Sequence, residues 1–207
     1  MHLTQDQLFD FEEDGFLILP ELFQPKEVNE INETSREIFS EKNPANILEP
    51  KSGEVRTAMG LHLRHKLFGD LVRDPRLLEP AHQLRGEKLY VQQVKINVKA
   101  AFEGEQWHYD FAIHHNDDGV PEPLALNLHI FLDDVNHFNG PLYFIPGSHK
   151  KGPAPTRHDK SSTSYPLWIV NKDTVSKHLE KKGIFSATGV IGTGLIFSLS
   201  LIHIYEP

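Results

Sequence analysis

The feature that most narrows the fold is a change of period near Lys88. Before it, apolar residues recur at helical spacing; after it, they alternate. Thr4 ahead of Gln5-Asp6-Gln7-Leu8 predicts a capped first helix that Gly15 stops, and Phe16-Leu17-Ile18-Leu19 before Pro20 predicts a short strand. Pro25 opens a second helical pattern, in which Val28, Ile31, Ser35, Ile38 and Phe39 share a face. Residues 40–53, with Pro44 and Pro50, read as a loop. Leu67, Leu71, Leu77, Leu78, Ala81 and Leu84 predict one or two further helices closing at Gly86.

Beyond Lys88, Tyr90, Gln92, Val94, Ile96 and Val98 alternate with Val91, Gln93, Lys95, Asn97 and Lys99, one face mostly apolar and the other polar. Leu124, Leu126, Leu128, Ile130 and Leu132 alternate in the same way with Ala125, Asn127, His129 and Phe131. Asn139-Gly140 is a hairpin signal ahead of a returning strand Leu142-Tyr143-Phe144-Ile145, and Gly192 and Gly194 flank a last strand, Leu195-Ile196-Phe197. The expected fold is α+β, mainly β, and the expected organisation is a single domain over 1–207. Its parts are a helical segment (1–87), a β core (88–198) and a tail (199–207). Two strands with polar second faces predict a sandwich enclosing a wet site.

Composition removes several classes of function. The 207 residues include no cysteine, which excludes disulfides, thiolate metal sites and cysteine nucleophiles. A net charge of −8 argues against nucleic acid or an anionic membrane as the main partner. No apolar run approaches the ~18 residues of a membrane span. The opening Met-His-Leu-Thr-Gln-Asp has neither the basic nor the apolar stretch of a signal peptide, so a cytoplasmic protein is expected.

Histidine is the conspicuous residue: seven of the 13 lie between His108 and His158. Within Trp107-His108-Tyr109-Asp110-Phe111, a strand would send His108 and Asp110 to one face about 7 Å apart. An imidazole nitrogen and a carboxylate oxygen could then meet one cation. A second histidine would complete the 2-His-1-carboxylate triad that leaves non-haem iron(II) three open positions. His-X-Asp alone is common by chance.

Here it belongs to an ordered set. Asp14-Gly15-Phe16, Asp74-Pro75-Arg76-Leu77, Lys95-Ile96-Asn97, Trp107-His108-Tyr109-Asp110, Asp118-Gly119, Asn139-Gly140-Pro141-Leu142 and Pro146-Gly147-Ser148-His149-Lys150 together resemble the phytanoyl-CoA dioxygenase family. The likeness runs from about Asp6 to Phe197 and is nearest to the ectoine-hydroxylase branch between Tyr90 and His149. It implies a double-stranded β-helix (jelly roll) and an iron(II)- and 2-oxoglutarate-dependent dioxygenase that hydroxylates an unactivated C–H bond of a small molecule with dioxygen.

It further implies His108 and Asp110 as the first two iron ligands and Lys95 as part of the cosubstrate seat. Gln93 and Asn97 share the strand face of Lys95, and an ammonium among amides suits a dicarboxylate; an exposed lysine on a half-buried strand is the plainer reading. Asn127 matches a position lining the cosubstrate pocket, or is a hydrogen-bonded core amide. His114 stands where the ectoine-hydroxylase branch carries a substrate-packing tryptophan, which points to a different substrate or to an exposed loop histidine. His129, His137 and His158 read as structural or surface residues. In Pro146-Gly147-Ser148-His149, the serine and histidine are expected to hold a loop rather than touch iron.

His203 has two readings. It stands where the family's distal iron ligand should follow the last strand. Yet the small-residue turn and the arginine that grips the far carboxylate of 2-oxoglutarate are not found, for the sequence ends four residues later at Pro207. Leu199-Ser200-Leu201-Ile202-His203-Ile204 also resembles a translated transposase sequencing adapter, which would make residues 199–207 a non-native tail. Its alternation is expected to prolong the last strand and to turn His203 inward, completing a triad in either case. A non-catalytic small-molecule-binding jelly roll, or an inactive truncated fragment of such an enzyme, is the competing function. A cupin-like zinc or manganese site is a third.

Overall fold

The structure is a computed structural model that describes residues 1–49, 52–98, 106–159 and 167–205. Pro50 in the expected loop, Lys99 at the end of the expected first core strand, and residues 206–207 of the tail lie outside the described residues.

Local chemistry sets the helical part. Helix α1 (Gln5–Asp14) opens with a reciprocal cap: the Gln7 amide donates to Thr4 Oγ1 at 3.2 Å and the Thr4 amide to Gln7 Oε1 at 2.9 Å. It ends at Gly15, whose φ of +86° is left-handed. Strand β1 (Phe16–Leu19) follows, then α2 (Pro25–Ser40), with proline in its first turn and Val28, Ile31 and Ile38 buried. After β2 (Asn46–Leu48), β3 (Val55–Met59) and the short helices α3 (Leu61–Arg64) and α4 (Lys66–Leu71) comes α5 (Pro75–Arg85). It is capped by Asp74, which accepts from the Arg76 amide at 2.8 Å.

The remaining elements are β4 (Lys95–Asn97), α6 (Phe111–Asn116), β5 (Leu126–Ile130), β6 (Leu142–Phe144), a 3₁₀ turn (Ser148–Lys151), β7 (Thr156–Asp159), β8 (Leu167–Val170), α7 (Lys172–Lys182), β9 (Phe185–Ala187), β10 (Gly194–Ser198) and β11 (His203–Tyr205). Among the described residues the strands form four antiparallel sheets, ordered β1-β10-β5, β11-β6-β9, β2-β3-β4 and β7-β8.

The first two sheets pack through Phe16, Phe144, Leu195, Phe197 and Leu201, with the Phe16 and Phe144 rings stacked at 4.9 Å. Burying each such side chain contributes about 1.5–3 kcal/mol. The other side of β1-β10-β5 packs Leu17, Leu19, Ile196, Leu126 and Leu128 against Phe11, Phe23 and Val28. Strand β5 is therefore covered on both faces: its leucines meet the helices, while Asn127 and His129 lie beside Phe197 and Leu195 on the face between sheets.

The expected jelly roll is corrected here. Strands of three to five residues make an α+β fold of small sheets, and among the described residues no sheet closes. Asn139-Gly140 does not close a hairpin either: β5 pairs with β10, whereas β6 pairs with β11 and β9, so the chain crosses between sheets. Nor does the tail prolong β10. A turn at Ser198–Leu201, held by the Leu201 amide on the Ser198 carbonyl at 3.0 Å, carries the chain into β11 on the other sheet. The loop expected over 40–53 holds β2, which pairs antiparallel with the next strand, β3.

Candidate metal centre

Two histidines meet because their backbones exchange hydrogen bonds. The His108 amide donates to the His203 carbonyl at 3.0 Å, and the His203 amide to the His108 carbonyl at 2.8 Å. Residues paired in this way across antiparallel chains present their side chains on one face, and the ring centroids lie 4.3 Å apart. His108 also bridges Ile169 of β8.

Asp110 arrives differently from the expected strand. It has helical dihedrals (φ −62°, ψ −31°) as the residue that leads into α6, where the Phe111 amide donates to the Leu199 carbonyl at 2.9 Å. The change from extended to helical backbone curls the carboxylate back over the histidine pair. Its Oδ1 lies 3.7 Å from Nε2 of His108 and 3.7 Å from Nε2 of His203.

The donor set fits a cation. Nδ1 of His108 lies 2.7 Å from the Gln106 carbonyl and Nδ1 of His203 lies 2.8 Å from the Leu201 carbonyl. A carbonyl only accepts, so each Nδ1 carries a proton and each ring turns its Nε2 toward Asp110. A separation of 3.7 Å exceeds a hydrogen bond and is close to the ~3 Å between two ligands at right angles around one first-row ion. Both histidines are buried. Burial pushes the Asp110 carboxyl up, but His203, then His108, Lys95 and the Asn127 amide outweigh it and hold it at about 2. Asp110 is thus ionised across the physiological range.

The other sequence candidates take varied positions. Asn127 Nδ2 donates to the second carboxylate oxygen, Asp110 Oδ2, at 2.6 Å. Lys95 is exposed on β4, with its charge felt at Asp110. Asn97 accepts from Thr57 Oγ1 at 3.1 Å, and Gln93 lies beside the Met59 sulfur. His114 lies in the last turn of α6, not in a loop, with Nδ1 3.0 Å from Asp118 Oδ2. His129 packs edge-on against Phe197, His158 stacks on Trp168 and His137 is exposed. Ser148 and His149 do hold a loop: Ser148 Oγ accepts from the Ile202 amide at 2.8 Å, and His149 Nε2 lies 3.2 Å from the Glu12 carbonyl. Sequence reasoning did not find Leu199 or Ile169, whose backbones seat Asp110 and His108; backbone contacts of apolar residues carry no local signal.

A family profile described as phytanoyl-CoA dioxygenase (PhyH) matches residues 11–204. The chain belongs to the phytanoyl-CoA dioxygenase family. It is 37% identical over 214 residues to ectoine dioxygenase of Bordetella bronchiseptica, an alignment covering 97% of this chain and 69% of the relative. To L-proline trans-4-hydroxylase of Streptomyces griseoviridis it is 39% identical over 202 residues, covering 92% and 75%. A crystal structure of EctD from S. alaskensis with bound Fe superposes with a TM-score of 0.85 at 26% identity, covering 99% of this chain and 71% of that one. Family membership and the His-Asp-His cluster identify the chain as an iron(II)- and 2-oxoglutarate-dependent dioxygenase suited to C–H hydroxylation.

Proposed function

We propose that this chain hydroxylates an unactivated C–H bond of a small amino-acid-like solute, with His108, Asp110 and His203 as its iron ligands. The observation that carries this reading is the approach of one Asp110 oxygen to both imidazole Nε2 atoms at 3.7 Å. Bound iron couples oxidative decarboxylation of 2-oxoglutarate by dioxygen to oxidation of the substrate C–H bond. The residues that would hold the iron are His108 and His203 through Nε2 and Asp110 through Oδ1, two imidazole nitrogens and one carboxylate oxygen.

Lys95, Gln93 and Asn97 are the proposed seat of the cosubstrate's far carboxylate. Lys95 and Asn97 alternate on one face of β4, and Asn97, already accepting from Thr57, keeps its amide N–H groups for donation. His114 is the proposed substrate contact, a ring set by Asp118. The substrate class is supported by the relatives' names, since ectoine and L-proline are both small ring amino acids. It is supported too by a structure of EctD from S. alaskensis with 2-oxoglutarate and 5-hydroxyectoine. Residues 1–207 are proposed to work as one oxygenase unit, since β1 of the helical part is hydrogen-bonded to β10. The proposed compartment is the cytoplasm, where 2-oxoglutarate and ferrous iron are supplied.

The test is succinate formation from 2-oxoglutarate by iron-loaded protein with ectoine, L-proline and related solutes. Succinate should require both iron and one of these solutes, and His108→Ala should bring it to background. Retained activity in His108→Ala would remove the assignment. Solute binding without iron or turnover would favour the binding-module reading.

A further inference from the structure

Asp110 has two oxygens, and the structure gives them different work. Oδ1 faces the histidine pair; Oδ2 receives the Asn127 side-chain amide at 2.6 Å. A carboxylate oxygen cannot donate, so the contact fixes the orientation of the amide as well: Nδ2 points at Asp110. The bond is charge-assisted and short.

We propose that Asn127 is a positioning residue that keeps Asp110 a one-oxygen ligand. This rests on the reading of His108, Asp110 and His203 as the metal site. A carboxylate free to rotate about its Cβ–Cγ bond can present both oxygens to a cation. In a six-coordinate frame, two nitrogens and one oxygen leave three positions; a second oxygen leaves two, too few for a chelating cosubstrate and dioxygen together. Holding Oδ2 away from the ion protects the third position.

The scaffold around Asn127 is suited to this. Asn127 lies opposite Phe197 in the β5–β10 register, on the face between the two sheets, and β10 is hydrogen-bonded on both sides, by β1 and β5. Phe197 packs edge-on against the His203 ring, with centroids 5.4 Å apart. The same pair of strands therefore seats the carboxylate through Asn127 and one imidazole through Phe197. From the other side, the Asp110 main chain is pinned where the Phe111 amide meets the Leu199 carbonyl. A carboxylate fixed at its backbone and at one oxygen has little rotation left.

The experiment compares wild-type protein with Asn127→Ala and Asn127→Leu, the second preserving bulk while removing the donor. Co(II) is titrated without cosubstrate, followed by its visible absorption, and 2-oxoglutarate is then titrated into each Co(II)-loaded protein. The variants should show an altered Co(II) spectrum before any cosubstrate is added and a Co(II) dissociation constant changed by about tenfold or more. The 2-oxoglutarate affinity should then fall as well. A Co(II) spectrum and dissociation constant within twofold of wild type, in whichever variant folds, would overturn the proposal. If 2-oxoglutarate affinity alone fell, Asn127 would be a cosubstrate contact instead, which equally overturns it. Failure of the wild-type protein to bind Co(II) would defeat the underlying metal-site reading, a different result from either.

Discussion

Ser148→Ala is the most informative perturbation outside the ligands. Ser148 and Ile202 are 3% and 1% exposed, and the Ser148 hydroxyl accepts the Ile202 amide at 2.8 Å, one residue before His203. Removing that oxygen strands a buried amide donor, which costs about 1–3 kcal/mol. For a chain of this size, a central value of about 2 kcal/mol lowers the melting midpoint by roughly 4–8 °C. The affected backbone also carries the distal imidazole, because the Ile202 carbonyl accepts from Ile145 and the His203 backbone pairs with His108. Thermal unfolding, with Ser52→Ala as the exposed-serine control, measures the stability cost; Co(II) titration measures the effect on the site. The control should move the midpoint by no more than about 1–2 °C. A Ser148→Ala midpoint indistinguishable from the control would refute the argument that this hydroxyl holds the corner. A lowered midpoint with unchanged Co(II) affinity would confine its role to folding.

Two further substitutions test the frame. At Gly192, φ is +84° and an added Cβ would fall 2.0 Å from the Phe23 carbonyl oxygen, against which only backbone can give way; Gly192→Ala should cost more than about 4 kcal/mol in urea unfolding, or yield no folded protein. Arg76 lies 4.0 Å over the Phe23 ring and bonds Glu27 and Asp74, whose carboxyls it draws below their usual range chiefly through those hydrogen bonds. Partial exposure of all three limits the loss in Arg76→Ala to about 1–2 kcal/mol. Because the folded-state carboxyl pKa values are depressed, the stabilisation is complete above the usual carboxylate range near 4 and is lost as pH falls through the lowered values. The gap between wild type and Arg76→Ala in urea midpoint should therefore be wide at pH 7 and narrow in acid; a gap independent of pH would contradict this origin.

What the sequence disclosed follows the range of the forces involved. Thr4, Gly15, Pro25 and Gly86 act within a turn of their own helices, and each helix start or stop they predict is present. The inward face of β5 was visible as alternation, because its side chains obey a period of two whatever they meet. Sheet partners were not visible. An Asn-Gly turn reports that the chain reverses locally, but whether the next strand joins the last one depends on competitors elsewhere, and β6 is claimed by β9 and β11. The same limit applies at the metal centre. The pattern His-X-Asp suggested two side chains leaving one face of an extended strand, whereas Asp110 is helical and its carboxylate oxygen lies 3.7 Å from His108 Nε2. That helical turn is fixed by the Leu199 carbonyl, and the second histidine by a backbone exchange with a residue 95 positions away in sequence. Residue types name candidate ligands, but long-range backbone hydrogen bonds bring them together. Substitutions that disturb those backbone bonds, as at Ser148, should therefore reach the site without touching a ligand.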